Sequence, residues 1–332
     1  MKNKTTLFLL LLSLLFANCE NSKKPKVHLE SPQQETEAPK IIAPDFNEDS
    51  AYLYLKKQVD FGPRAPGTKA HANCAIYLKN KLKSFGLKVT LQETEQKTFD
   101  DKKFLLKNIF ASYNPESKTR ILLTAHWDCR PFADQDTKNI SLPIDGANDG
   151  ASGVAVLLEI ARVLSTKKVD IGVDFLLSDL EDYGQPASSM TQQKENTWCL
   201  GTQYWAANKP TDYKPKYGIL LDMVGGQNPI FPMEGTSMAY APDIVQSVWK
   251  TAANLGYGSY FTTQQTGQTT DDHLYINSIA RIPCIDIVNM DPATGTYPAF
   301  HHTHADNLSI IEKSTLKMVG QTVLQVIYEE PS

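Results

Sequence analysis

Cysteine is scarce in this 332-residue chain. Its five residues, Cys19, Cys74, Cys129, Cys199 and Cys284, form no CxxC pair. That excludes a zinc ribbon or finger as the organising element. An excess of basic charge is also missing. Against 37 Asp and Glu stand 33 Lys and Arg, for a net charge of −4. Nothing here suits a nucleic-acid partner, and no acidic tail is present. No apolar run is long enough to span a bilayer permanently. Internal repeats and linkers are absent as well. What remains, at 41% hydrophobic residues, is ordinary globular composition.

The amino terminus departs from that average. Lys2 and Lys4 precede a short apolar stretch from Leu7 to Phe16, followed by Ala17-Asn18-Cys19. This order reads as a secretory signal over residues 1–18, of the lipoprotein type, with Cys19 as the lipid-modified residue. It implies an exported protein, periplasmic or anchored to a membrane. Residues 19–44 are polar and rich in Lys, Glu, Gln and Pro, and are expected to form a disordered tether. Residues 45–332 then suffice for one α/β catalytic domain. Cys74 and Cys284 sit in apolar contexts and read as buried thiols, and no disulfide pairing is fixed by the sequence.

Within the domain, helical periodicity marks residues 49–59, 69–85, 150–164, 202–208, 242–255 and 313–328. Strand-like runs lie at 89–99, 104–113, 120–125, 217–224 and 284–288. Central to them is Ile171 to Asp182, IGVDFLLSDLED, an apolar strand ending in acids. Alternating strands and helices predict a single domain. Its central sheet is mixed but mostly parallel, with helices on both faces.

In such folds ligands bind beyond the carboxyl ends of the strands. Polar residues collect there: His126 and Asp128, Asp149, Glu181 and Asp182, Asp222, Asp271 and Asp272, and His301, His302 and His304. Each alone has a bland reading, as a helix cap, a solvated turn or a hydrogen-bonded core histidine. Asp222 is harder to dismiss. It lies inside ILLDMVGG, and an unpartnered buried carboxylate costs several kcal/mol. Histidine and carboxylate donors without cysteine suit a catalytic zinc rather than a structural one. Of two adjacent acids, one can hold the metal while the other moves a proton.

The succession AHWD, GANDGASG, DLED, LLDMVG and FHHTH resembles the zinc-dependent exopeptidase fold. Within it, LLDMVGGQNPIFP at 220–232, TDDHL at 270–274 and LGTQYWA at 200–206 resemble the glutaminyl-peptide cyclotransferases. The resemblance covers about residue 47 to the end. It implies that one zinc is bound by Asp149, Asp182 and His302, with Glu181 as general acid/base. Asp222 and Asp272 would form a supporting acidic network. Asp182 stands where many relatives have Glu, and His301 where animal cyclases have Trp, so Trp198 is the substitute for the aromatic wall. The implied substrates are peptides with N-terminal glutamine, taken by a monomer. His126, Asp149, Asp182, Asp222 and His302 also make up the ligand set of two-zinc aminopeptidases, so that reading stays open. A non-catalytic binding protein on the same fold is a third reading.

Overall fold

A computed structural model describes residues 41–332. The expected signal, Cys19 and the tether up to residue 40 lie outside the described residues. Residues 41–44, expected in the tether, run along the last helix, α8 (Lys313–Glu329). There Ala43 N–H donates to Gln325 Oε1 at 3.0 Å and Phe46 N–H to Gln321 Oε1 at 2.8 Å. These side-chain acceptors satisfy a backbone that otherwise has no ladder partner.

Six strands form the main sheet: β1 (Lys88–Lys97), β2 (Lys103–Tyr113), β3 (Arg120–His126), β4 (Gly172–Ser178), β5 (Gly218–Asp222) and, after two short ones, β8 (Cys284–Val288). Their order is β1-β2-β4-β3-β5-β8. Pairing is antiparallel at β1–β2 and β2–β4 and parallel from β4 through β3 and β5 to β8. The mixed, mostly parallel α/β architecture read from the sequence is the observed one. The register aligns His126 with Ser178, and Asp222 with Val288. Parallel strands in this register bring their C-terminal polar residues to one rim.

Alternation along the central strands divides their side chains between two layers. Leu123, Ala125, Phe175, Leu177, Ile219 and Leu221 pack with α3 (Ala151–Thr166), α8 and α1 (Glu48–Val59). Leu122, Leu176 and Cys284 face the other way, against Trp205 and Ala206 of α4 (Leu200–Asn208) and against Ile276. Local signals set the helix starts. Asn47 caps α1 by accepting Ser50 N–H, and Thr68 caps α2 (Lys69–Ser84) by accepting His71 N–H.

A two-stranded parallel pair, β6 (Phe231–Met233) and β7 (Phe261–Gln265), was not legible as strands; nor was helix α5 (Gly235–Tyr240) between them. The expected helix at 242–255 is α6 (Pro242–Asn254), opened by proline at its first position. A four-residue α7 (Asp272–Tyr275) runs into a π turn over Ile276–Ala280. Cys74, Cys129, Cys199 and Cys284 are all buried and unpaired.

Candidate metal centre and acid cleft

Three chain reversals at the sheet rim carry the polar residues. Beyond β4 the chain turns at Leu180, in the left-handed region at φ 54°. Asp128, beyond β3, stabilises that turn by accepting the backbone N–H groups of Glu181 and Asp182 at 3.2 and 3.3 Å. Leading into α3, Asn148 and Asp149 donate their N–H groups to Asp306 at 2.7 and 3.0 Å. Buried Arg64 holds the carbonyls of Asp145 and Gly146. Gly150 completes that turn at φ 96°, where a Cβ would lie 2.4 Å from the Asp128 carbonyl. Only glycine meets both demands. At the third reversal His302 sits at φ 54°. Non-glycine residues in this conformation concentrate where side-chain aim is functional.

The result is a cleft of about 640 Å³ whose lining includes Asp149, Glu181, Asp222, Asp271, His301 and His302. His302 Nε2 stands 3.1 Å from Asp182 Oδ1 and 3.6 Å from Asp149 Oδ2. Yet neither Asp182 oxygen has a hydrogen-bond partner, although both are buried. The two unpartnered oxygens of Asp182, beside the Asp149 carboxylate and the His302 ring, form a donor set that a cation completes. Burial pushes His301 and His302 down to about 4, which leaves neutral rings at pH 7. Asp182 is pushed well up by burial and then by Asp149. That crowding too is relieved by a cation between them. Asp134 Oδ1 lies 3.6 Å from His302 Nδ1, on the ring's far side, as an orienting carboxylate would.

Arg130 ties this corner together. It donates to the carbonyls of Asp182 at 2.7 Å and Gly184 at 3.1 Å, and grips Asp134 with bonds of 2.8 and 3.0 Å. Its guanidinium also lies 4.5 Å from the Trp198 ring centre. Trp198 in turn lies parallel to His302, with ring centres 5.8 Å apart. Trp198 and His301 both line the cleft.

A second group surrounds His126, whose Nε2 is 3.0 Å from Asp149 Oδ1 and 3.2 Å from Asp222 Oδ1. This is the partner that Asp222 required. Glu181 is held well above the ordinary Glu range by burial, with Asp271 and Asp182 adding to the effect against His126. Asp271 is likewise raised, by burial first and then by Asp222 and Asp272.

One expectation is corrected. Asp272 does not reach the cleft and does not hydrogen-bond Asp222. It is fully buried and accepts from Ser178 Oγ on β4. Asp271 takes the cleft position instead. The reason is local: Asp271 is the extended N-cap of α7 at φ −152°, whereas Asp272 is already helical and its side chain turns into the core. His304 pairs with Asp136 at 2.9 Å and takes no part in the ligand groups. Sequence reasoning also missed Asp134, Arg130 and Asp306, which lie in polar loops without periodicity. Behind Asp271 it missed Asp286, which groups with Asp271 and with His273 of the TDDHL stretch closely enough to surround an ion.

A model described as peptidase family M28 matches residues 108–327. Similar solved structures include a glutaminyl cyclase from Bacteroides thetaiotaomicron. It is 52% identical, with a TM-score of 0.85, over 87% of this chain and 100% of that one. Another is a leucine aminopeptidase precursor from the same organism, 51% identical, TM-score 0.84, covering 88% of this chain and 100% of that one. Aminopeptidase YwaD of Bacillus subtilis is 26% identical over 218 residues, 63% of this chain but 40% of its own length. The chain also spans 65% of the length of the curated glutaminyl-peptide cyclotransferases from snakes. The chain belongs to peptidase family M28, and bacterial glutaminyl cyclases of the same zinc-exopeptidase-like fold are among its relatives.

Proposed function

We propose that this protein is a glutaminyl-peptide cyclotransferase, converting N-terminal glutamine of peptides to pyroglutamate with release of ammonia. One observation carries the reading: Glu181 and Asp271 stand in the same cleft, both raised in proton affinity, beside Asp149 and His302, with the Asp182 carboxylate buried 3.1 Å from the His302 ring nitrogen. Ring closure needs a base for the attacking amine and an acid for the departing nitrogen, and no activated water.

A zinc ion held by Asp149, Asp182 and His302 would polarise the side-chain carbonyl of the substrate glutamine. The chain's own residues do the rest. Glu181 takes a proton from the α-amine as it attacks the γ-carbonyl carbon, and returns it to the amide nitrogen as ammonia leaves. Asp271, its proton affinity raised by burial and then by Asp222 and Asp272 beside it, donates a hydrogen bond to the leaving amide. Trp198 and His301 wall the side chain in a ring-closing rotamer.

The second reading, a two-zinc aminopeptidase, rests on the His126–Asp149–Asp222 group. That group brings His126 Nε2 within 3.0 Å of Asp149 and 3.2 Å of Asp222, close enough to gather round a second ion, so the reaction product and the zinc content decide between the two readings. Incubating the protein with Gln-peptides and Leu-peptides and weighing the products tests the proposal. Loss of ammonia from the first, with no residue released from either, is expected; release of free Leu or Gln makes it a peptidase. An exported, lipid-anchored placement through Cys19 is proposed from the sequence alone, and labelling with a clickable fatty acid tests it.

A further inference from the structure

We infer that Cys199 is a positioning residue for Glu181: its thiol aims the carboxylate into the cleft. The inference rests on the role of Glu181 proposed above. Cys199 Sγ lies 3.2 Å from Glu181 Oε1, the only side-chain donor bonded to that carboxylate among the described residues. Both residues are buried.

The backbone fixes the pair. Cys199 N–H donates to Glu181 O at 2.9 Å and Leu200 N–H to Leu180 O at 3.0 Å, so the start of α4 is pinned to the acid turn. Cys199 and Leu180 both adopt the left-handed conformation, at φ 56° and 54°. Each chain reverses where the two meet, which turns the thiol and the carboxylate toward one another. A side chain held in such a conformation, with no solvent contact, is over-determined by its surroundings. Burial, with Glu181, Asp272 and Asp271 nearby, pushes the Cys199 thiol well up, so it remains an S–H donor.

An S–H is a weak donor. It still sets the orientation of Glu181, because no other side-chain donor among the described residues competes for that carboxylate. Without it, the carboxylate can rotate about its terminal torsion, which is broad and soft. Misaim at the reacting atoms lowers turnover while leaving binding of the peptide untouched.

The test uses the whole metal-loaded protein and compares wild type, Cys199→Ala, Cys199→Ser, Glu181→Gln and the Ala/Gln double variant. kcat and KM on a Gln-peptide are read alongside zinc content and melting temperature. Cys199→Ala is expected to lower kcat about tenfold with KM and zinc unchanged. Cys199→Ser, which keeps a donor, should recover most of that loss. In the Glu181→Gln background the alanine should cost nothing more, because the group it positions is gone. Should alanine fail to fold, Cys199→Val fills the space without a donor and carries the same expectations. Wild-type kcat in the donor-free variant, equal loss in the donor-free and serine variants, or an undiminished penalty in the Gln background overturns the inference. Full turnover in Glu181→Gln alone instead overturns the assignment of the base.

Discussion

Replacing Arg130 with methionine removes the cation that joins the metal corner to its wall. Arg130 makes four hydrogen bonds: to the carbonyls of Asp182 and Gly184 and two to Asp134. Methionine replaces the apolar stem but none of the donors. Two buried carbonyls then lose their partner, at about 1–3 kcal/mol each. Asp134 is 16% exposed on its side chain and can recover water, so its share is smaller. The sum is a loss of about 3–5 kcal/mol, within the range for breaking a buried pair. At about 2–4 °C per kcal/mol for a large domain, the melting temperature should fall by about 10 °C. Asp182 and the Asp134 carboxylate behind His302 also lose their orientation. Zinc affinity should therefore drop about 10–100-fold, the usual effect of removing an outer partner. Calorimetry of the zinc-loaded variant and competition with a chromogenic chelator read the two effects. Wild-type melting and affinity together would refute the reasoning.

Three other outcomes follow from the same geometry. Glu181→Gln should retain zinc but lose at least about 100-fold in turnover, and near-normal turnover removes it from the acid/base role. In the wild type, the acid limb of kcat/KM should lie above the ordinary Glu range, because burial raises Glu181 and activity falls as pH drops through that raised value. A limb at or below pH 4.5, with zinc still bound, contradicts this. Asp182→Ala should lose its metal on dialysis, and elemental content of the purified variant decides it. Glu234 gives a stability prediction. Burial opposes its charge, yet His273 and the N–H groups of Thr236 and Ser237 hold it down to about 2 from 4.5. A depression of that size contributes about 3 kcal/mol, present above pH 4.5 and lost as pH falls toward 2. The melting gap between wild type and Glu234→Gln should therefore narrow on acidification, and a gap independent of pH refutes it.

The parallel centre of the sheet was legible because its strands are buried on both faces. RILLTAH, GVDFLLS and CIDIV read as continuous apolar runs. The rim was legible for the same reason, since acids and histidines interrupt those runs at their ends. β6 and β7 were not, because three and five residues carry no period. Choosing between Asp271 and Asp272 depended on which one caps α7, and adjacent identical residues hide that. The contact between Cys199 and Glu181 depends on two left-handed residues meeting, which no spacing encodes. The early edge of the domain, at Ala43, depends on Gln321 and Gln325 one turn apart on α8. Those glutamines read as an ordinary polar stripe.

Zinc titration of metal-free protein, with the product of a Gln-peptide weighed at each step, tests the central claim most directly. The account predicts a pyroglutamyl product lighter by one ammonia, its rate reaching a plateau at about one zinc per chain. Free glutamine as the product, or a plateau only at about two zinc ions, would contradict it.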